Sequence, residues 1–260
     1  MEIIKSKENK IYKKIIKLQL KKYRDMYEEY LIEGEKLVID TLNQKAVITI
    51  VASEEYYSSN LEKNFIREAA ANNGLSVFED KLFEMIKGTE NTQGIIAVAK
   101  KHVYGIEEFF AEKNRIILLD RLQDPGNVGN IIRTAKATNH KLIFIKGTVD
   151  PYSPKVARAA MSALSDIPIL LIDRYEDVIS LLKQMKIIII GADANGNINF
   201  QDMGKIENTA IVIGNEANGI SCELMEVLDK KVSIPMEKGI ESLNAATAAG
   251  LMMYRMYLGN

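Results

Sequence analysis

At 260 residues and 47% hydrophobic content, the chain is long enough for two domains or one large one with a substantial core, which excludes a disordered or fibrous polypeptide. A formal net charge of -1 gives no global attraction to polyanions, so any nucleic acid has to be met by a local basic patch. One cysteine, Cys222, excludes an internal disulfide framework, and two histidines, His102 and His140, leave little material for a zinc site, so a reducing, cytoplasmic setting without a metal is expected.

The start, Met1 to Lys10, is charged and lacks the apolar stretch of a secretory signal. The aliphatic runs, Ile187 to Ile190 among them, are far too short to cross a bilayer, so a soluble protein is expected. Between Lys5 and Arg24 nine basic residues face a single acid, Glu8. Ile11, Ile15 and Leu18 recur there at helical spacing, which predicts one amphipathic helix with an outward basic face. Such a face is either a solvated helix surface or a contact for a nucleic-acid phosphate backbone, with Lys7, Lys10, Lys13, Lys14, Lys17, Lys21, Lys22 and Arg24 as the candidate contacts.

Strand and helix patterns then alternate: a strand at Tyr30–Ile32, a helix after Gly34, a β-branched strand at Ala46–Val51, a helix from about Leu61 to Asn72, strand Ser76–Phe78, helix Lys81–Lys87 and strand Gly94–Ala99. This is the pattern of a small α/β domain. Thr92, Gln93 and Gly94 read as a loop or as a binding turn. Lys100 to Asn114 reads as a connector, which puts the domains at 1–105 and 113–260.

The second part alternates again, with strands at Ile116–Leu119, Leu142–Ile145, Ile167–Leu171, Ile187–Ile190, Ala210–Ile213 and Val232–Ile234. Helices are predicted at Asn127–Thr138, Pro154–Leu164, Glu176–Met185, Glu223–Leu228 and from about Leu243 to Tyr257. Strands that are aliphatic without polar alternation imply burial on both faces, hence a mostly parallel sheet covered by helices.

Three stretches stand out. In Leu119-Asp120-Arg121-Leu122-Gln123-Asp124-Pro125-Gly126-Asn127 a strand ends in turn residues and a helix begins, bringing a donor-rich helix start to the carboxyl end of a strand. Arg133 lies six residues beyond Asn127, so both side chains can serve one cleft. Strand Ala210–Ile213 runs into Gly214-Asn215-Glu216-Ala217-Asn218-Gly219, where two glycines flanking an acid permit close backbone approach. Finally, a strand is halted at Ile234-Pro235-Met236, and after a loop Ser242 begins a small-residue helix, as an ordinary N-cap would, with Leu243 and Asn244 next. Each stretch alone reads equally well as an ordinary capped loop.

Together and in this order they resemble the three motifs of the SpoU (TrmH) family of methyltransferases, part of the SPOUT superfamily. The matching residues are Asn127, Gly129 and Arg133; Gly214, Glu216 and Gly219; and Ile234, Pro235, Met236, Ser242, Leu243 and Asn244. The amino-terminal part resembles the small ribosomal-protein-like domain that precedes the catalytic domain in many members. The resemblance implies an α/β fold with a carboxyl-terminal trefoil knot, a homodimer, S-adenosylmethionine as donor, and methylation of a ribose 2′-hydroxyl in RNA, with ribosomal RNA favoured over transfer RNA. It implies catalytic roles for Asn127, Arg133, Glu216, Ser242 and Asn244, and cofactor contacts at Gly214, Ile234, Met236 and Leu243 with Gly191 beside them. One departure is visible: the stretch Arg158-Ala159-Ala160-Met161-Ser162-Ala163 has serine where relatives commonly carry glycine, and alanine where many carry serine. Two other classes remain in view, a non-catalytic RNA-binding protein that kept the fold and a dinucleotide-dependent dehydrogenase; the latter lacks G-x-G-x-x-G after the first strand of either half.

Overall fold

A computed structural model of the chain describes residues 1–72, 74–88, 92–203 and 207–258. Met1–His102 together with Tyr152–Asp166 forms one compact unit, and Val103–Pro151 together with Ile167–Asn260 forms the other.

The first unit is built on five strands, β1 (Ile3–Ile4), β2 (Glu29–Glu33), β3 (Val47–Ser53), β4 (Leu75–Phe78) and β5 (Ile95–Lys100), in the order β1-β4-β3-β5-β2. β4 runs parallel to β1 and β3, while β5 runs antiparallel to β2 and β3. One face of this sheet buries Leu31, Val51, Phe78 and Val98 against Tyr12, Ile15 and Leu18. The expected single basic helix is two, Lys10–Leu18 and Lys21–Tyr27. Asn9 caps the first, its side chain accepting from the N–H groups of Ile11 and Tyr12, and extended Leu20 separates the pair.

Tyr152–Asp166 lies with this unit although chain order assigns it to the second. Arg158 Nη2 donates to Glu33 at 3.3 Å, and the hydroxyls of Ser165 and Tyr30 are 3.1 Å apart. The expected helix Pro154–Leu164 stops at Ala160, where Met161 takes φ 55° and ψ -152°, and a 3-10 turn, Met161–Ser165, follows. Periodicity carries no signal for a positive φ at a methionine.

The second unit holds seven strands, β6 (Arg115–Leu119), β7 (Lys141–Ile145), β8 (Ile169–Ile172), β9 (Ile188–Ala192), β10 (Ile198–Asn199), β11 (Thr209–Ile213) and β12 (Lys230–Ser233). Their order is β10-β12-β9-β11-β6-β7-β8, and every pairing is parallel. Alternate residues Ile116, Leu118 and Val212 pack with Val178 and Leu182 of helix Tyr175–Gln184 on one face. Helices Pro125–Ala137 and Ala245–Leu258 pack against each other, the first against β7 and the second against β11. Each fully buried aliphatic side chain contributes roughly 1.5–3 kcal/mol, so a slip of one residue in β6 or β11 would cost several of them at once. Register is therefore fixed, and so are the loops at the carboxyl ends of β6, β11 and β12. The expected connector contains a helix, Ile106–Phe110, whose Phe109 and Phe110 are buried in this core.

Candidate functional site

The three motif loops meet in the second unit. Helix Pro125–Ala137 starts at Pro125, two residues before the sequence places it, with Asp124 as its cap: Asp124 Oδ1 accepts from Asn127 N at 2.7 Å. Asn127 therefore sits in the first helical turn, its side chain free to point at the other loops. Its Nδ2 donates to Glu216 Oε1 at 3.1 Å, and its Oδ1 accepts from Asn244 Nδ2 at 2.8 Å. One amide thus joins all three motifs, and its two partners fix which end carries the oxygen.

Glu216 also accepts from the backbone N–H groups of Gln123 at 3.3 Å and Asp124 at 3.4 Å, so both its oxygens are engaged. Partial burial by itself raises its pKa, but the hydrogen bonds from Asn127 and from those backbone groups outweigh it and hold the carboxyl below its ordinary value. Among the described residues Glu216 is tied to the first-motif loop and not to Arg133. Arg133 is exposed and, among the described residues, has no hydrogen-bond or ion-pair partner, which leaves its guanidinium open to a ligand.

Asn244, rather than Ser242, caps the final helix: Asn244 Oδ1 accepts from Ala246 N at 2.9 Å and Thr247 N at 3.2 Å. Ser242 lies in the exposed loop before it and lines the cleft beside these groups. That cleft, about 700 Å³, is walled by Asp193, Gly214, Asn215, Glu216, Leu243 and Ala248 among others. An adjoining apolar cavity of about 110 Å³ shares Asp193, Leu243 and Ala248 with it and is completed by Val232, Ile234 and Met236.

Of the expected cofactor positions, Gly214, Ile234, Met236 and Leu243 line these spaces. At Gly214 a Cβ would stand 2.4 Å from backbone atoms of Gly219 and Ile220, so only glycine allows the loop to close there. Gly191 stands apart from these four. It is buried in β9 and lines neither space; a Cβ there would meet Leu228 Cδ1 at 2.5 Å and Ile220 Cδ1 at 3.0 Å, so its glycine serves packing. The next three residues, Ala192, Asp193 and Ala194, line the cleft instead. Sequence reasoning missed Asp193 because an acid in a turn after a strand carries no periodic signal.

In the first unit Lys7, Lys10, Lys13, Lys17, Lys21 and Lys22 are exposed on or beside the two amino-terminal helices. Lys13 pairs with Glu8, Lys21 with Asp25 at 2.5 Å, and half-buried Lys14 with Glu29 at 2.6 Å. Arg24 does not belong to that surface. It is 4% exposed, and its Nη1 donates to the carbonyls of Leu18 and Gln19 at 2.8 Å each, closing the end of the first helix. Its place in a basic run hid that role. Among the described residues no group of three His, Cys, Asp or Glu side chains could hold a metal ion, and no helix is long and apolar enough to cross a membrane.

Comparison with known proteins matches residues 114–254 to a model of the SpoU rRNA methylase family and residues 9–97 to one of an MRM3-like substrate binding domain. The chain is 30% identical over 259 residues to a 23S rRNA (guanosine(2553)-2′-O)-methyltransferase of Bacillus subtilis (strain 168), covering 98% of this chain and 99% of that protein. An AdoMet-bound rRNA methyltransferase from Sinorhizobium meliloti superposes with a TM-score of 0.83 at 28% identity, covering 98% of this chain and 97% of that one. The SpoU methyltransferase AviRb from Streptomyces viridochromogenes, with a TM-score of 0.84, 24% identity and coverage of 96% and 98%, has the same fold.

Proposed function

The chain belongs to the SpoU rRNA methylase family, and from that premise we propose that it transfers a methyl group from S-adenosylmethionine to a ribose 2′-hydroxyl of ribosomal RNA. The observation that carries this reading is the Glu216–Asn127–Asn244 chain of hydrogen bonds, which ties the first motif to the second and third, the two that line the cleft. Residues 113–260 are the catalytic domain, and residues 1–105, with the exposed lysines of their two leading helices, form the RNA substrate-binding domain.

The residues present fit the donor. Val232, Ile234, Met236 and Leu243 offer an apolar slot for a purine, Asp193 sets a carboxylate beside it for sugar hydroxyls, and the chain at Gly214 is bare of side chain. When bound, S-adenosylmethionine supplies an electrophilic methyl group on a sulfonium. The protein's part is then alignment and charge. Arg133 carries donors and no acceptor, so it clamps a phosphate and stabilises charge on the substrate rather than receiving a proton. Glu216, with both oxygens already accepting, holds the first loop closed. Asn127 and Asn244 fix the floor of the site, and Ser242 presents a hydroxyl to the substrate from the rim.

The active form is a homodimer, with the carboxyl-terminal trefoil knot shaping the cleft, and it works in the cytoplasm. On the final helix Leu251, Tyr254, Tyr257 and Leu258 are exposed, an apolar surface of the kind a second copy covers. Titration calorimetry with S-adenosylmethionine tests the reading, which expects one donor per chain bound in the micromolar range. An absence of binding at millimolar donor overturns it.

A further inference from the structure

Asp120 follows β6 and is 0% exposed. Its Oδ2 accepts from the backbone N–H of Ser221 at 2.7 Å, and its Oδ1 accepts from Tyr175 Oη at 2.7 Å and Arg121 Nε at 3.0 Å. Its own N–H donates to Ile213 O at 2.9 Å, the last rung between β6 and β11. Donors thus reach this one carboxylate from three separate segments of the unit.

A buried carboxylate is a poor device for stability alone, because well-packed apolar side chains serve a fold as well without the cost of desolvation. What this one does that an aliphatic residue could not is hold an N–H of the loop between Gly214 and Ser221. That loop is fastened to the first motif in parallel steps. Asn215 Nδ2 donates to Arg121 O at 2.8 Å, Glu216 accepts from Gln123 N at 3.3 Å, and Ser221 N reaches Asp120 at the buried end. Arg121 takes φ 60°, a left-handed backbone unusual for a residue with a side chain, and its stem packs 3.2 Å from where Gly147 would carry a Cβ.

We propose that Asp120 is a positioning residue for the methyl transfer proposed above, setting the Gly214–Ser221 loop, and with it Gly214 and Glu216, in the arrangement that receives the donor; in that respect it rests on the proposed function. Tyr175 supports it. Burial raises the pKa of that phenol, as does the hydrogen bond it donates to Asp120, so the donor stays protonated throughout the working range.

The experiment compares the full-length parent with Asp120→Asn and Tyr175→Phe by amide hydrogen exchange and by titration with S-adenosylmethionine. Asn presents an NH₂ where a donor already points. Asp120→Asn should therefore speed exchange across residues 214–221 at least tenfold, leave β7 and β8 protected, and weaken donor binding about tenfold. Tyr175→Phe should move both readings in the same direction by about threefold. If Asp120→Asn does not fold, Tyr175→Phe decides by the same two readings. Loop exchange that stays at the parental rate, or rises no more than that of the sheet as a whole, overturns the proposal and leaves Asp120 a structural residue. A parent that binds no donor removes the functional reading, while the exchange pattern still decides whether Asp120 holds the loop.

Discussion

Asn244 Nδ2 lies 2.8 Å from Asn127 Oδ1 although the two residues are 117 positions apart, and the same Asn127 amide donates to Glu216. Asn244 also caps the helix that follows it. Its substitution by alanine should therefore act twice. Loss of the cap costs about 1 kcal/mol of stability, and loss of the clamp frees the Asn127 amide to rotate. Asn244→Ser keeps a capping oxygen but cannot reach Asn127. Melting temperatures should rank parent, Ser, Ala, whereas methyl transfer should fall by at least tenfold in both variants. Transfer that tracks stability alone would argue against the clamp.

The Glu216 carboxyl is held below its ordinary pKa by hydrogen bonds that favour its charged form. A depressed carboxyl contributes stability above its unfolded pKa, near about 4.3, and loses that contribution as pH falls through its folded value. The advantage of the parent over Glu216→Gln in melting temperature should accordingly be present at pH 6 and shrink below about pH 4. Parallel curves for the two proteins down to pH 3 would contradict the assignment.

Gly214 and Gly219 should respond differently to alanine. A Cβ at Gly214 collides with backbone at 2.4 Å, so the loop must open and donor affinity should drop more than tenfold. At Gly219, φ is +64° with nothing near the added atom, so the cost is left-handed strain of about 1–2 kcal/mol. Gly219→Ala should then lower the melting temperature with little change in affinity. Calorimetry and thermal melts separate the two.

Arg24 and the lysines around it should also part ways. Arg24→Ala leaves the Leu18 and Gln19 carbonyls without their donor and should cost about 1–3 kcal/mol, with a far smaller effect from Arg24→Lys only if the shorter ammonium still reaches them. Charge reversal at exposed Lys10, Lys17 or Lys22 should leave stability unchanged, weaken RNA binding, and lower the salt slope by about one unit per lysine removed. RNA affinity insensitive to all three would place the RNA elsewhere.

Much of this arrangement is legible in the sequence because it follows from patterns with a period. The unbroken aliphatic strands at Ile116–Leu119 and Ala210–Ile213 announce a parallel sheet, and the structure pairs them directly, Ile116 with Ala210 and Leu119 with Ile213. Motif order brings Asn127, Glu216 and Asn244 to notice, and geometry joins them. What the sequence hides is of another kind. Helix starts depend on single caps, so Asp124 rather than Asn127 opens one helix and Asn244 rather than Ser242 opens another. Arg24 reads as one more charge in a basic run until the break at Leu20 turns it inward. Asp120 reads as the end of a strand, because hydrogen bonds from Ser221 and Tyr175, far away in the chain, are invisible to any local pattern. Met161 hides its positive φ for the same reason.

The central claim is tested most directly by incubating the purified protein with methyl-labelled S-adenosylmethionine and ribosomal RNA, then digesting the RNA and identifying the labelled nucleotide, for the parent and for Arg133→Ala. The account predicts a single ribose 2′-O-methylated nucleotide with the parent, and with Arg133→Ala a loss of transfer of at least a hundredfold while S-adenosylmethionine still binds. Label on a base, no label from the parent, or transfer by Arg133→Ala at the parental rate would contradict it.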